Sequence, residues 1–261
     1  MSPEKPIRSD IVTGLAIVPV APAVATSLAV SSAASTGFPL SWSLRGPRRI
    51  IDQGSIPCCV SCAIAAAAES ANADWETLSP LFHYFVTRTQ VMRASPQQTA
   101  NVSLEDAKSA MEDIGICLNR LHEKKMDPQG IAEAPSPAAQ SDGLTRRLPR
   151  TSTFPPAHRI VLLGDQNREQ EWKMALLTGK PILAGIDLPA NYDKPMRRAT
   201  TELGRLGPSH AVVILGYNDS EHAFIVQDSR GKDWFIGGQW WMPYSFAQSG
   251  FVYQAYSFNF R

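Results

Sequence analysis

Asp52-Gln53-Gly54-Ser55-Ile56-Pro57-Cys58-Cys59-Val60-Ser61-Cys62-Ala63-Ile64-Ala65-Ala66-Ala67-Ala68-Glu69-Ser70-Ala71-Asn72-Ala73 joins a turn to a helix. Gly54 and Pro57 punctuate a loop that runs from Ile50 to Pro57. From Cys59 through about Ala73 there is no Gly or Pro, and alanine, the strongest helix former, dominates. No charge occurs before Glu69, so the spacing predicts a buried helix with Cys59 at its start. A thiol is a useful nucleophile only as thiolate, and the unpaired N–H groups of a helix N-terminus favour negative charge.

Outward from this helix the first half of the chain reads as helical. Ser79-Pro80 supplies a cap and a first-turn proline for a helix over Ser79 to Met92. Ser103 can cap another over Ser103 to Ile114, with Asp106 at the capping-box position and Gly115 ending it. Phe38 to Arg45 reads as a short extended entry. Asp127 to His158, rich in Pro, Ala, Ser and Gln without periodicity, reads as a linker.

The second half reads as sheet. Strands are expected at Arg159 to Leu163 and Pro181 to Leu188, with a short helix over Glu169 to Thr178 between them, ending at Gly179. His210 to Tyr217 and Ala223 to Gln227, separated by Asn218-Asp219-Ser220, have the composition of a hairpin. Trp240 to Tyr244 and Phe251 to Phe258 add further strands. Helices followed by antiparallel strands is an α+β order, without internal repeat.

The 261 residues are 44% hydrophobic and 19% charged, with a formal net charge of +1. That is ordinary globular composition. Lys and Arg are scattered, so there is no phosphate-binding stripe and nucleic acid is not an expected partner. Three of the four cysteines, Cys58, Cys59 and Cys62, crowd into one segment and Cys117 stands apart. This is no disulfide framework; it suits a reducing compartment with at least one thiol kept free for chemistry or metal. Ile11 to Leu44 carries no charge, and Ala21-Pro22-Ala23-Val24-Ala25 resembles a signal-peptide cleavage region. Gly14, Pro19 and Pro22 argue against a membrane-spanning helix there, and an extended arm on the body of the protein is the preferred reading. Localisation is therefore expected to be cytoplasmic, or delivered and secreted if a signal acts.

Acyl transfer needs a base beside the nucleophile, a group to orient that base and donors for the oxyanion. Asp52-Gln53-Gly54-Ser55-Ile56-Pro57-Cys58-Cys59 resembles the segment of papain-like (C1-type) cysteine peptidases in which an Asp-Gln-Gly turn precedes the catalytic cysteine. Ser209-His210-Ala211-Val212 through Gly216-Tyr217 is similar to the family's His-Ala-Val segment, and Gln227-Asp228-Ser229-Arg230-Gly231 to its Asn-Ser-Trp-Gly segment. The resemblance also takes in Leu78-Ser79-Pro80, Gly115-Ile116-Cys117 and Ala175 to Pro181, and is strongest to bacterial members without a long inhibitory prosegment.

The resemblance implies a two-lobed α+β fold with a helical N-terminal lobe (about 46–126), a linker (about 127–158) and an antiparallel, barrel-like β lobe (about 159–261). Residues 1–37 would be an extension, and the active site would lie in the cleft between the lobes. It implies Cys59 as nucleophile, His210 as general base and acid, Asp228 as its orienter, and Gln53 with the Cys59 N–H as oxyanion donors. The expected partner is a peptide or protein substrate in that cleft, without cofactor, metal or integral membrane segment. Several positions depart from the family pattern: Pro57 for glycine, Cys58 for serine, Val60 for tryptophan, Asp228 for asparagine and Arg230 for tryptophan. A carboxylate at 228 raises the histidine pKa, so the pH profile should shift.

Other readings of the same residues are acyl transfer to another acceptor (a transpeptidase, a cyclase or a transglutaminase-like enzyme), a deubiquitinase-like isopeptidase, or a catalytically silent module that keeps the fold. Cys59-Val60-Ser61-Cys62 lacks the βαβ context of a redox motif, and a zinc site would need ligands from His83, Cys117 or His122. His83, His122, His158 and His222 have no motif around them. Trp234 is expected to shield the pair of His210 and Asp228 from water.

Overall fold

The alanine-rich run forms α1, Cys59–Ala71, in the computed structural model of the chain, which describes residues 37–148, 157–159, 168–192, 197–202 and 204–260. The N-terminal extension, read above as an arm or a leader, lies outside the described residues. So does most of the strand expected at Arg159 to Leu163. All 13 residues of α1 are buried. Alanine makes this possible, because side chains of one carbon let a neighbouring helix and a sheet approach the backbone closely from several sides while keeping helix propensity high.

Glu69 anchors the far end of α1. Its carboxylate accepts from the Leu78 N–H at 2.7 Å and the Arg48 N–H at 2.9 Å. Burial pushes its pKa up, against the pull of those two N–H groups and of Arg49 and Arg48. Glu69→Ala leaves both N–H groups without their acceptor, and a loss of about 2–4 kcal/mol in stability is expected. A chemical-denaturation midpoint equal to that of the native chain would refute this.

Helix α2, Pro80–Val86, starts as its sequence predicts: the Ser79 hydroxyl accepts from the Phe82 N–H at 3.1 Å. The α-helix then stops earlier than the expected Met92, and Thr87–Val91 forms a π turn. Thr87 and Thr89 send their hydroxyls back to the carbonyls of His83 and Phe85, at 2.7 and 2.9 Å, competing with the helical ladder. Helix α3, Leu104–Asp113, has Ser103 as its cap, and Gly115 turns the chain at φ 82.

The segment read as a linker holds more structure than its composition announces. Gly130–Ala132 is a 3-10 turn and Pro137–Leu144 is helix α4. The signal is Ser136-Pro137, the same cap and first-turn proline as in α2, with the Ser136 hydroxyl accepting from the Ala139 N–H. A side chain at Gly143 would come within 2.8 Å of the Phe82 ring, so α4 docks by smallness and shows no apolar stripe.

The strands β1 (Ser41–Ser43), β2 (Ala157–Arg159), β3 (Ile182–Pro189), β4 (Arg205–Asn218), β5 (Ala223–Gln227), β6 (Gln239–Pro243) and β7 (Val252–Phe258) pair antiparallel throughout. Their order is β2-β7-β3-β4-β5-β6, with β1 added to β4. Helix α5, Arg168–Leu177, lies between β2 and β3 in the chain, and α6, Tyr244–Gln248, follows β6. Alternation along β4 sorts the two faces: Ala211, Val213 and Leu215 join the core around α1, while Val212 and Ile214 join a second core with Trp172 and Leu176 of α5. The expected hairpin closes through Asp219 to His222, where the Asn218 side chain accepts from the Ser220 N–H at 2.9 Å.

Candidate active site

Pro57 and a non-helical Cys58 bring the chain into α1, so that Cys59 is its first helical residue. The preceding loop is tied to the loop after β5. The Gln53 N–H donates to the Ser229 carbonyl at 2.8 Å, the Gly231 N–H to the Ile51 carbonyl at 2.9 Å, and the Ser229 hydroxyl to Gln53 Oε1 at 2.6 Å. Gln53 Nε2 in turn donates to the Ile56 carbonyl at 2.8 Å. A residue that reads in sequence as a surface turn is thus completely buried and held from both sides.

His210 sits on β4 opposite Ile186 of β3, and Asp228 immediately follows β5. Asp228 Oδ1 lies 2.9 Å from His210 Nε2. A carboxylate only accepts, so the proton on this bond belongs to Nε2. Nδ1 is buried and has no conventional hydrogen-bond partner, and it is the ring nitrogen left for the Cys59 thiol, which also acts on this histidine. Burial pulls the His210 pKa down, but the Asp228 charge and Cys59 outweigh it and raise it to about 9. Asp228 moves the other way: burial pushes its carboxyl up, and His210, Tyr192 and Arg230 together hold it below its ordinary value. The structure therefore brings all four expected residues, Gln53, Cys59, His210 and Asp228, to one place. Cys59, His210 and Gln53 are each at 0% exposure.

Three further side chains complete the site. The Tyr192 hydroxyl donates to Asp228 Oδ2 at 2.7 Å and the Trp240 indole N–H to the same oxygen at 3.0 Å. The Ser229 N–H adds a 2.8 Å bond to Oδ1. Burial and the Asp228 charge push the Tyr192 pKa well up, so its proton stays on as a donor. Arg230, which stands where the resembled family has tryptophan, places its guanidinium 5.9 Å from the centre of the Tyr192 ring and helps hold Asp228 ionised.

The ring expected to shield the pair was Trp234. It packs against Tyr192 at 5.5 Å, and Tyr192 is the ring set against His210, at 5.8 Å. Trp240 was legible in sequence only as the start of a strand; in β6 it is buried and alternates with half-buried Trp241. Nothing local marked Tyr192.

The remaining thiols are buried and unbridged. Cys58 Sγ lies 3.6 Å from Cys62 Sγ and 3.8 Å from Met126 Sδ. Burial, then the bond to Cys58, pushes the Cys62 thiol well above its ordinary pKa, as expected of a structural cysteine. His83 is a satisfied core histidine: its ring meets Ser61 Oγ at 2.9 Å and the Ala107 carbonyl at 3.2 Å, and burial lowers its pKa to about 4. Among the described residues no group of His, Cys, Asp and Glu is disposed to hold a metal ion.

Superposed on solved structures, the chain matches xylellain, a cysteine protease from Xylella fastidiosa, with a TM-score of 0.75 at 19% identity, over 96% of this chain and 97% of that one. The fold is papain-like. Procathepsin L 3 of the Tenebrio molitor larval midgut aligns with a TM-score of 0.63 at 16% identity, over 86% of this chain and 70% of that one. Bromelain from Ananas comosus aligns at 0.57 and 16%, over 85% of this chain and all (100%) of that one. In sequence, an uncharacterised peptidase C1-like protein of Acanthamoeba polyphaga mimivirus is 25% identical over 221 residues, 75% of this chain. The match spans 64% of that relative's length. No family model matches. Among the described residues of this papain-like chain no helix is long and apolar enough to cross a membrane.

Proposed function

We propose that the chain is a cysteine peptidase in which Cys59 attacks a peptide or isopeptide carbonyl. The observation that carries this reading is the line of groups from the α1 N-terminus through His210 to Asp228, with the Nε2 to Oδ1 bond at 2.9 Å fixing the histidine tautomer. The thiolate of Cys59 adds to the carbonyl carbon, and the carbonyl oxygen, now negative, is received by Gln53 and the Cys59 N–H. The protonated His210 gives its proton to the leaving amine as the C–N bond breaks. It then takes one from water, whose oxygen attacks the thioester and returns Cys59. Support comes from the papain-like fold, from a relative named as peptidase C1-like, and from Gln53 being held by Ser229 and the Ile56 carbonyl in the loop that leads into the nucleophile.

The test is an epoxide-type thiol reagent, with peptide mapping and a fluorogenic peptide assay on the same sample. One equivalent bound at Cys59 with parallel loss of hydrolysis is expected. Full hydrolysis after labelling of Cys59, or no hydrolysis by the unlabelled protein, would sink the reading.

A further inference from the structure

An aspartate, Asp228, stands where the resembled family has asparagine. Asp228 accepts four hydrogen bonds, from the His210 Nε2–H and Ser229 N–H on Oδ1 and from the Tyr192 hydroxyl and Trp240 Nε1–H on Oδ2. Two of those four donors, the Ser229 N–H and the Trp240 indole N–H, cannot accept, and the His210 nitrogen accepts only by giving up its proton. An asparagine would place its NH₂ against one of them in either orientation. With the amide oxygen kept toward His210 and Ser229, the NH₂ meets the Trp240 N–H. With the amide reversed, the NH₂ meets the Ser229 N–H and His210 has to offer Nε2 as an acceptor, which moves the ring proton to the nitrogen needed by Cys59.

We propose that Trp240, assisted by Tyr192, is a positioning residue that requires a carboxylate at 228 and thereby fixes the tautomer of His210. This rests on the assignment of Cys59 and His210 as the reacting pair. The two donors differ in kind. A tyrosine hydroxyl can turn and accept from an amide, whereas an indole N–H only donates. Trp240 is therefore the residue that excludes asparagine, and Tyr192 adds a fourth bond to the acid without excluding the amide. The charged and titratable groups facing the carboxylate are His210 from β4, Tyr192 from the turn after β3 and Arg230 from the loop after β5, while Cys59 faces His210 from α1.

The test compares Asp228→Asn, Asp228→Asn/Trp240→Phe and Asp228→Asn/Tyr192→Phe with the native chain. Each is scored by the rate of Cys59 alkylation by iodoacetamide across pH, by peptide hydrolysis, and by thermal melting to establish folding. Asp228→Asn is expected to lose about 10³–10⁴-fold in reactivity at neutral pH, the scale of a histidine held in the wrong tautomer. Removing the Trp240 donor should return at least tenfold of that loss, and removing the Tyr192 hydroxyl should return none. Native reactivity in Asp228→Asn, or equal rescue by the two second substitutions, overturns the proposal. Should the Trp240 variant fail to fold, the nitrogen chemical shifts of His210 in Asp228→Asn decide: a neutral ring protonated on Nδ1 supports the proposal, and one still protonated on Nε2 refutes it. If the native chain hydrolyses no peptide while alkylation follows the expected order, the peptidase reading fails and the positioning role stands.

Discussion

Cys59→Ala is expected to lower peptide hydrolysis by about 10⁶-fold or to the floor of the assay, as when a covalent nucleophile is removed from a hydrolase whose groups act as a unit. The effect is large because no neighbouring group can substitute. Cys58 and Cys62 are within 3.6 Å of each other, but the Cys62 thiol is held protonated by burial and neither lies at the first helical position. Melting should change little, since alanine suits the all-buried, alanine-rich α1 and only a sulfur is lost. Turnover by Cys59→Ala above a thousandth of the native rate would require a different nucleophile and would end the assignment.

His210→Ala should lower hydrolysis by about 10²–10⁴-fold, the range spanned by positioned acid–base groups. In the native chain its pKa of about 9 predicts a rate that holds through neutral pH and declines as the imidazolium loses its proton near that value. The same shift has a stability consequence of definite sign. The folded state holds this proton more tightly than the unfolded chain, whose value is 6.5. The stabilisation is therefore fully present below about pH 6.5 and is lost as pH rises through about 9. Denaturation midpoints of native and His210→Ala chains, measured across that window, should converge at the alkaline end. A gap that stays constant with pH, or an alkaline rate edge near 6.5, would show that Asp228 does not support the histidine charge.

The parts of the site that were legible in sequence are those whose chemistry is local. Ser79-Pro80 and Ser103 capped the helices they announce, because a cap is a bond between a hydroxyl and an N–H three residues on. Two apolar runs separated by Asn218-Asp219-Ser220 marked β4 and β5, which pair as neighbours in the sheet. Where local rules compete the sequence misleads: threonine hydroxyls accompany a π turn at the end of the second helix, and α4 carries no apolar stripe to announce it because it docks through Gly143 and Ala139. Arg230 had no sequence account and acquired one only beside Tyr192 and Asp228.

The sequence by itself determined the order of motifs, the start of α1 at Cys59, the α+β succession and the candidates Gln53, His210 and Asp228, because each is written in consecutive residues with a turn, a cap or an apolar run around it. The tertiary structure alone decided what surrounds Asp228. Tyr192 and Trp240 lie 36 and 12 residues away along the chain, and they meet the carboxylate only because β3, β5 and β6 belong to one sheet. Hydrogen-bond donors act over about 3 Å, so a residue's protonation and tautomer depend on neighbours in space that linear spacing does not record.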